Sequence, residues 1–282
     1  MRVTFWGVRG SVPVPNPHML GYGGNTSCVE VELEDGTQII LDAGTGIREL
    51  GTSRHVDGGS LQLLLTHLHV DHIHGLLFFP PLFDPGNEVT VYGPPAPGPD
   101  LDQRLSRYLS APLSPVDLRE LPARVEFAAC PYDDWRVGGA RIKAAIVAHR
   151  GVTLGFRITE GDRTLCYLPD HEPALGADIE DARNGWISGM ALAHGADILI
   201  HDGQYDDEEY PAHVGWGHSG LSDAVAFAGR AEVGRLVLFH HDPGHDDARL
   251  GELADEARDI WRGRGGDPAA VSLAREGDTI SV

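Results

Sequence analysis

The stretch Leu63-Leu64-Leu65-Thr66-His67-Leu68-His69-Val70-Asp71-His72-Ile73-His74-Gly75 decides how this chain is read, because an apolar run ends in three histidines and an aspartate within six positions. In an extended segment His67 and His69 lie two apart, so both imidazoles point to the same side. A helix starting at about Val70 puts Asp71 and His72 in its first turn, facing back toward the strand end. Four donors then converge without help from any distant part of the chain. Neutral imidazoles and a carboxylate suit zinc, manganese or iron, and the absence of a nearby cysteine argues against a thiolate zinc knuckle. A polar loop merely rich in histidine is the plain alternative. It leaves four polar groups behind a leucine strand, which is costly unless a cation satisfies them.

Outward from this point the layout of strand followed by donor recurs. Gln38 to Leu41 reads as the second arm of a hairpin turning at Asp35-Gly36, and it ends in Asp42, placed beside glycines where it can orient a ligating histidine. Arg141 to Val147 is an apolar strand leading to His149, read as a third histidine ligand because the layout repeats. Val152 to Thr159 and Thr164 to Leu168 form a hairpin around Glu160-Gly161-Asp162. Asp170 follows, where a carboxylate can bridge two metals about 3.5 to 4 Å apart. Its neighbour His171 reads as solvent-facing. Two further strands deliver His201-Asp202 and His240-His241. The glycine-rich Gly21 to Ser27 has no following helix, so a phosphate-cradling loop fails and a tight turn is expected.

The pattern His67-x-His69-x-Asp71-His72 after a hydrophobic strand resembles the signature of the metallo-β-lactamase superfamily of metal-dependent hydrolases. Ile73-His74-Gly75-Leu76 resembles its phosphodiesterase and tRNase Z-like branch. Phe5 to Ser11, Gly23 to Cys28 and Leu41 to Gly46 look like a bacterial subgroup related to cyclic-nucleotide and phosphonate-pathway phosphodiesterases. The resemblance implies that His67, His69 and His149 hold one metal, that Asp71, His72 and His240 hold a second, and that Asp170 bridges them. It implies two divalent ions, Zn2+ with Mn2+ as the alternative, and a metal-bridging hydroxide as nucleophile. His218, in Gly217-His218-Ser219, matches a catalytic histidine of the tRNase Z-like branch, and Asp202 matches its acidic partner. Asp71 ligates and accepts a hydrogen bond from the hydroxide. Family members are frequently homodimers, which implies a homodimer here.

Strands alternating with loops, with a few helices between blocks, fit an αββα sandwich with the donors along one edge of the two sheets, which is also the fold the resemblance implies. Helices are expected at Leu76 to Pro81, Leu101 to Leu109, Leu221 to Ala231 and Asp246 to Trp261, with a terminal hairpin through Glu276-Gly277-Asp278. Residues 93–140 carry no ligand pattern and read as a lid, a dimer contact or a surface connection. With 282 residues, 41% of them hydrophobic, the chain buries a full core, and the lack of an obvious linker favours one domain over residues 1–282. Cys28, Cys130 and Cys166 are odd in number and far apart, which signals buried packing residues in a reducing compartment. No membrane-length apolar run or leader pattern is present, so a cytoplasmic protein is expected.

Twenty-two basic against 42 acidic residues give a formal charge of -20, a field that repels polyanions. The leading expectation is therefore a dinuclear metal-dependent phosphodiesterase acting on a small diester, foremost a 3′,5′-cyclic nucleotide, with no extended nucleic acid as partner. The alternative is a tRNA 3′-processing nuclease. Against it stand the charge and the 20 residues separating His149 from Asp170, where that family typically inserts a long arm. A non-catalytic metal-binding sensor module is the third reading, disfavoured because structural sites are usually closed and mononuclear. Roles for His171, His201, His241 and His245 stay open.

Overall fold

The structure, a computed structural model, describes residues 1–53 and 59–282. Six strands run consecutively across a first sheet: β1 (Arg2–Gly7), β2 (Cys28–Glu32), β3 (Gln38–Leu41), β4 (Ser60–Leu64), β5 (Glu88–Gly93) and β6 (Arg124–Ala129). A second sheet runs in the same consecutive order through β7 (Trp135–Val137), β8 (Ala140–Val147), β9 (Thr153–Glu160), β10 (Arg163–Leu168), β11 (Ile198–Asp202), β12 (Arg235–Phe239) and β13 (Val271–Leu273). The last strand, β14 (Thr279–Ser281), returns to the first sheet and pairs antiparallel with β1.

Side-chain alternation explains the layering. In β4, Leu61 and Leu63 point to the outer face, while Leu64 points between the sheets. In β10 and β12, Leu165, Tyr167, Val237 and Phe239 face inward, and Cys166, Leu168, Leu236 and Leu238 face outward. Both faces of these strands are thus apolar and need a cover. On the first sheet it comes from α1 (Ile47–Ser53), α2 (Val70–Ile73) and α3 (Leu101–Leu105). On the second it comes from α4 (Met190–Ala193), α6 (Leu221–Arg230) and α7 (Asp247–Gly263), while α5 (Tyr210–His213) lies over the site edge. Helix α7 shows the logic plainly. Asp246 caps its start by accepting from the Arg249 amide at 2.9 Å, and Leu250, Leu253, Ala254, Ala257 and Trp261 form one buried stripe. The result is an αββα sandwich, and all three cysteines are free and buried in it.

Three local expectations are corrected. Leu76 to Pro81 is not one helix but two 3-10 turns, Leu76–Phe78 and Pro80–Phe83, because Pro80 opens the second turn, where its missing N–H is no loss. The helix expected over Leu101 to Leu109 is regular only through Leu105. The terminal segment is no hairpin: β13 pairs parallel with β12, and the turn at Gly277 crosses to the other sheet through Gly277 N–H to Phe5 O and Phe5 N–H to Asp278 O.

Parallel pairing within β3–β4–β5–β6 and within β10–β11–β12–β13 brings strand carboxyl ends to a common edge of the sandwich. Among the described residues no helix is long and apolar enough to cross a membrane.

Candidate metal centre

Each donor sits just past the end of a strand on that edge. His67, His69, Asp71 and His72 follow β4, His149 follows β8, Asp170 follows β10 and His240 follows β12. One ligand atom each from His67, His69, His149 and Asp170 lies within 4.8 Å of the others, and Asp71, His72 and His240 form a second such group. Asp170 stands between them. Its Oδ2 is 3.8 Å from His67 Nε2, 3.6 Å from His149 Nε2 and 3.4 Å from His240 Nε2, while Oδ1 is 3.0 Å from His72 Nε2.

The ring nitrogens that face away from this centre are tied down. His67 Nδ1 meets Thr66 Oγ1 at 3.0 Å, His72 Nδ1 meets Asp42 Oδ2 at 2.9 Å, His149 Nδ1 meets Gly217 O at 2.7 Å, and His240 Nδ1 meets Gln204 Oε1 at 3.0 Å. Asp42 is fully buried and also accepts from Thr66 N–H at 2.8 Å and Tyr167 O–H at 3.0 Å. The nitrogens turned inward face each other instead: His72 Nε2 and His240 Nε2 are 3.3 Å apart, and His149 Nε2 and His69 Nδ1 are 3.2 Å apart. His67 Nε2 is buried with no hydrogen-bond partner. Burial pushes the His67 imidazole well below its ordinary pKa. Burial also works against a charged His72, but the carboxylates of Asp170, Asp71 and Asp42 outweigh it and raise that ring. Orphaned lone pairs amid carboxylates are the environment a divalent cation satisfies, so the residues fit the metals implied by the fold.

Close backbone approach at two glycines makes the packing feasible. A Cβ on Gly10 would lie 2.4 Å from His240 Nδ1, and one on Gly217, whose φ is +94°, would lie 2.4 Å from His149 Nδ1.

Beside the donors, His218 Nδ1 is 2.6 Å from Asp202 Oδ2, and its ring stacks on His240 at 4.9 Å. Asp202 is fully buried and is held by the amides of His171, Gln204 and Ser219 at 3.1, 3.0 and 3.3 Å. Burial disfavours a charged His218, yet the Asp202 carboxylate wins and raises its pKa to about 9.

His171 is not solvent-facing as expected. It is fully buried, with Nδ1 2.9 Å from His201 Nε2, because its amide serves Asp202 and draws the residue inward. His201 itself is tied through Nδ1 to Asp202 O at 2.7 Å, and burial lowers its pKa to about 4. His241 is buried and bonded to Ala274 O at 2.9 Å; His245 pairs with Glu209 at 3.0 Å.

Two residues that shape this edge escaped the sequence reading. Arg9 is fully buried and donates to Gly23 O, His245 O, Asp242 O and Met19 O, joining the glycine-rich turn to the loop after His240. Glu172, also fully buried, accepts from the amides of Gly215 and Gly217 at 2.8 Å each, fixing the loop that carries His218.

Residues 37–241 match the family model described as Beta-lactamase superfamily domain. Ribonuclease Z of Haloferax volcanii is 25% identical over 324 aligned positions, covering 100% of this chain and 95% of that protein. The metallo-beta-lactamase fold protein YhfI of Bacillus subtilis superposes with a TM-score of 0.70 at 21% identity, over 99% of each chain. The short form of human tRNase Z superposes with a TM-score of 0.66 at 24% identity, over 100% of this chain and 99% of its own. Relatives named as ribonucleases overturn the expectation that no extended nucleic acid is a partner. That expectation treated the charge of -20 as uniform, whereas a polyanion responds to the local field at the site, where bound dications would dominate.

Proposed function

The chain belongs to the β-lactamase superfamily of metal-dependent hydrolases, and from that premise we propose that its phosphodiester substrate is an RNA, cut in the manner of tRNA 3′-end processing. Its enzyme class is metal-dependent phosphodiester hydrolase. The RNA reading is supported by the ribonuclease Z of Haloferax volcanii, which aligns over 95% of its own length. The chemistry is carried by one observation: a histidine–aspartate pair, His218 and Asp202, stands beside a carboxylate shared by two donor triads, with His218 Nδ1 4.0 Å from Asp170 Oδ2.

His67, His69 and His149 would hold one divalent cation, Asp71, His72 and His240 the other, and Asp170 would touch both. Imidazole and carboxylate suit zinc first and manganese next. Such a pair of ions, when bound, polarises phosphoryl oxygens and lowers the pKa of water. The protein groups then do the rest. Ser11 N–H donates to Asp71 Oδ2 at 2.8 Å, holding that carboxylate toward the centre. With Nδ1 committed to Asp202, His218 has Nε2 left to donate a proton to the departing ribose oxygen. Asp202 keeps the ring oriented and favours its protonated form, while the three amides on Asp202 keep that carboxylate in place.

The test is incubation of the metal-loaded protein with a precursor tRNA bearing a 3′ trailer, mapping the cut at single-nucleotide resolution. Cleavage at the trailer junction, lost in His218→Ala, supports the proposal. A second reading, a small cyclic diester such as a 3′,5′-cyclic nucleotide, is favoured by the short β9–β10 hairpin between His149 and Asp170. The 324-position alignment also exceeds the 282 residues of this chain, so that ribonuclease Z carries segments absent here. Turnover of cyclic nucleotides with an intact precursor tRNA would select this reading over the first.

A further inference from the structure

Next to the donors opens a cleft of about 580 Å³ lined by Tyr205, His213, Trp216 and Arg150, with His218 in its wall. The rings form a ladder. Tyr205 and His213 stack with centroids 4.3 Å apart at 14°, and Trp216 meets His213 edge-on at 5.0 Å. Trp216 is 53% exposed, yet its backbone is clamped, since Glu172 accepts the amides on either side of it. A large aromatic surface on a fixed backbone loses little freedom when something stacks on it.

Arg150 holds its guanidinium carbon 6.0 Å from the centroid of the Trp216 ring. Its Nε donates to Gly215 O at 3.1 Å, and its terminal nitrogens have no partner among the described residues. Arg150 also lines a smaller cleft of about 220 Å³ against His67 and His69, shared with Arg104. Glu209 and Asp242 also line the larger cleft and repel phosphate, leaving Arg150 as the permanently cationic group of its lining. A phosphate bound there is therefore drawn to Arg150.

We infer that Trp216 and Arg150 form a nucleotide subsite: the indole stacks the base next to the scissile bond, and the guanidinium grips the adjacent phosphate. Base-on-aromatic stacking tolerates any base, and a guanidinium fork matches a phosphate with two parallel hydrogen bonds. The inference rests on the phosphodiester reading for its substrate class, but its test needs no turnover.

Calorimetric titration of the zinc-loaded protein with AMP and with ribose 5-phosphate separates base from phosphate. The wild type binds AMP about tenfold or more tighter than ribose 5-phosphate, Trp216→Ala brings the two together, and Trp216→Phe restores most of the difference. Arg150→Ala weakens both ligands by a similar factor, on the order of tenfold. The subsite is refuted if the wild type binds both ligands equally or if Trp216→Ala keeps the AMP preference. An AMP preference in a protein that hydrolyses no phosphodiester upholds the subsite and sinks the catalytic reading, while the converse result does the reverse.

Discussion

Replacing Asp42 by asparagine isolates the support behind the candidate metal centre. Asp42 has φ near +62°, a left-handed conformation that asparagine tolerates and alanine does not, so Asp42→Asn changes the hydrogen bonding without adding backbone strain. The wild-type carboxylate accepts from four donors: Thr66 N–H, Thr66 O–H, His72 Nδ1–H and Tyr167 O–H. An amide offers one acceptor oxygen and one NH2, so whichever way it is turned, at least one buried donor faces another donor. A lost hydrogen bond to a charged group and an unsatisfied buried donor are each worth about 1 to 3 kcal/mol, and partial relaxation leaves an expected destabilisation of about 2 to 4 kcal/mol. Loss of the partner behind a ligating imidazole lowers metal affinity by roughly 10- to 100-fold. Urea unfolding of the metal-free protein measures the first effect, and competition with a chromophoric zinc chelator measures the second. A folded Asp42→Asn protein with zinc affinity within about twofold of wild type would show that Asp42 does not orient His72 for metal, and the reasoning about that edge would fall.

Four further outcomes follow from the same structure. Truncating the proposed proton donor, His218→Ala, lowers kcat by about 10²- to 10⁴-fold while zinc content measured by atomic emission stays at the wild-type level; lost zinc would make His218 a ligand instead. Gly10→Ala pushes a methyl into His240 Nδ1 and displaces that ring, so the variant binds about one zinc fewer per chain than wild type; full zinc occupancy contradicts the packing argument. Burial, and after it the charge of Asp207, raises the Asp223 carboxyl to about 6, so the folded protein holds a proton that the unfolded chain releases near pH 4. Stability therefore falls as pH rises from about 4 to about 6, and Asp223→Asn gains about 1 kcal/mol at pH 7.5 after discounting for solvent screening, with no gain at pH 4; equal urea midpoint shifts at both pH values would exclude it. Phe239→Ala, emptying a fully buried position between the sheets beside Phe5 and Tyr167, costs about 3 to 5 kcal/mol in the same assay, and a loss under about 1 would mean the core collapses around it.

What was legible in the sequence is what short-range periodicity controls. His67 and His69 converge as alternate residues of an extended segment were expected to, their rings 4.3 Å apart although β4 ends at Leu64, and Asp71 and His72 join them because α2 begins at Val70. His149 and Asp170 were readable as candidate donors past strand ends, and β8 and β10, both antiparallel to the intervening β9, turn those ends to the same edge. Arg9 and Glu172 were not readable, because their partners are mostly backbone groups as far as 236 positions away, and backbone carries no sequence signal. His171 was misread through the usual preference of a loop histidine for solvent, which its amide bond to Asp202 overrides. The crossing at Gly277 looked like a hairpin because the turn residues are the same whichever sheet receives the second arm.

Charge was the least legible property, and the site explains why. His72 alone has the carboxylates of Asp42, Asp71 and Asp170 around it, so part of the net -20 is concentrated at the donor edge. Two dications placed there would more than cancel those carboxylates, and Arg150 and Arg104 lie along the same edge. A polyanion then meets a locally positive mouth on a negative body. On the proposed RNA substrate, affinity would depend on metal loading, and the repulsive remainder of the surface would limit contact to the few nucleotides that reach the clefts.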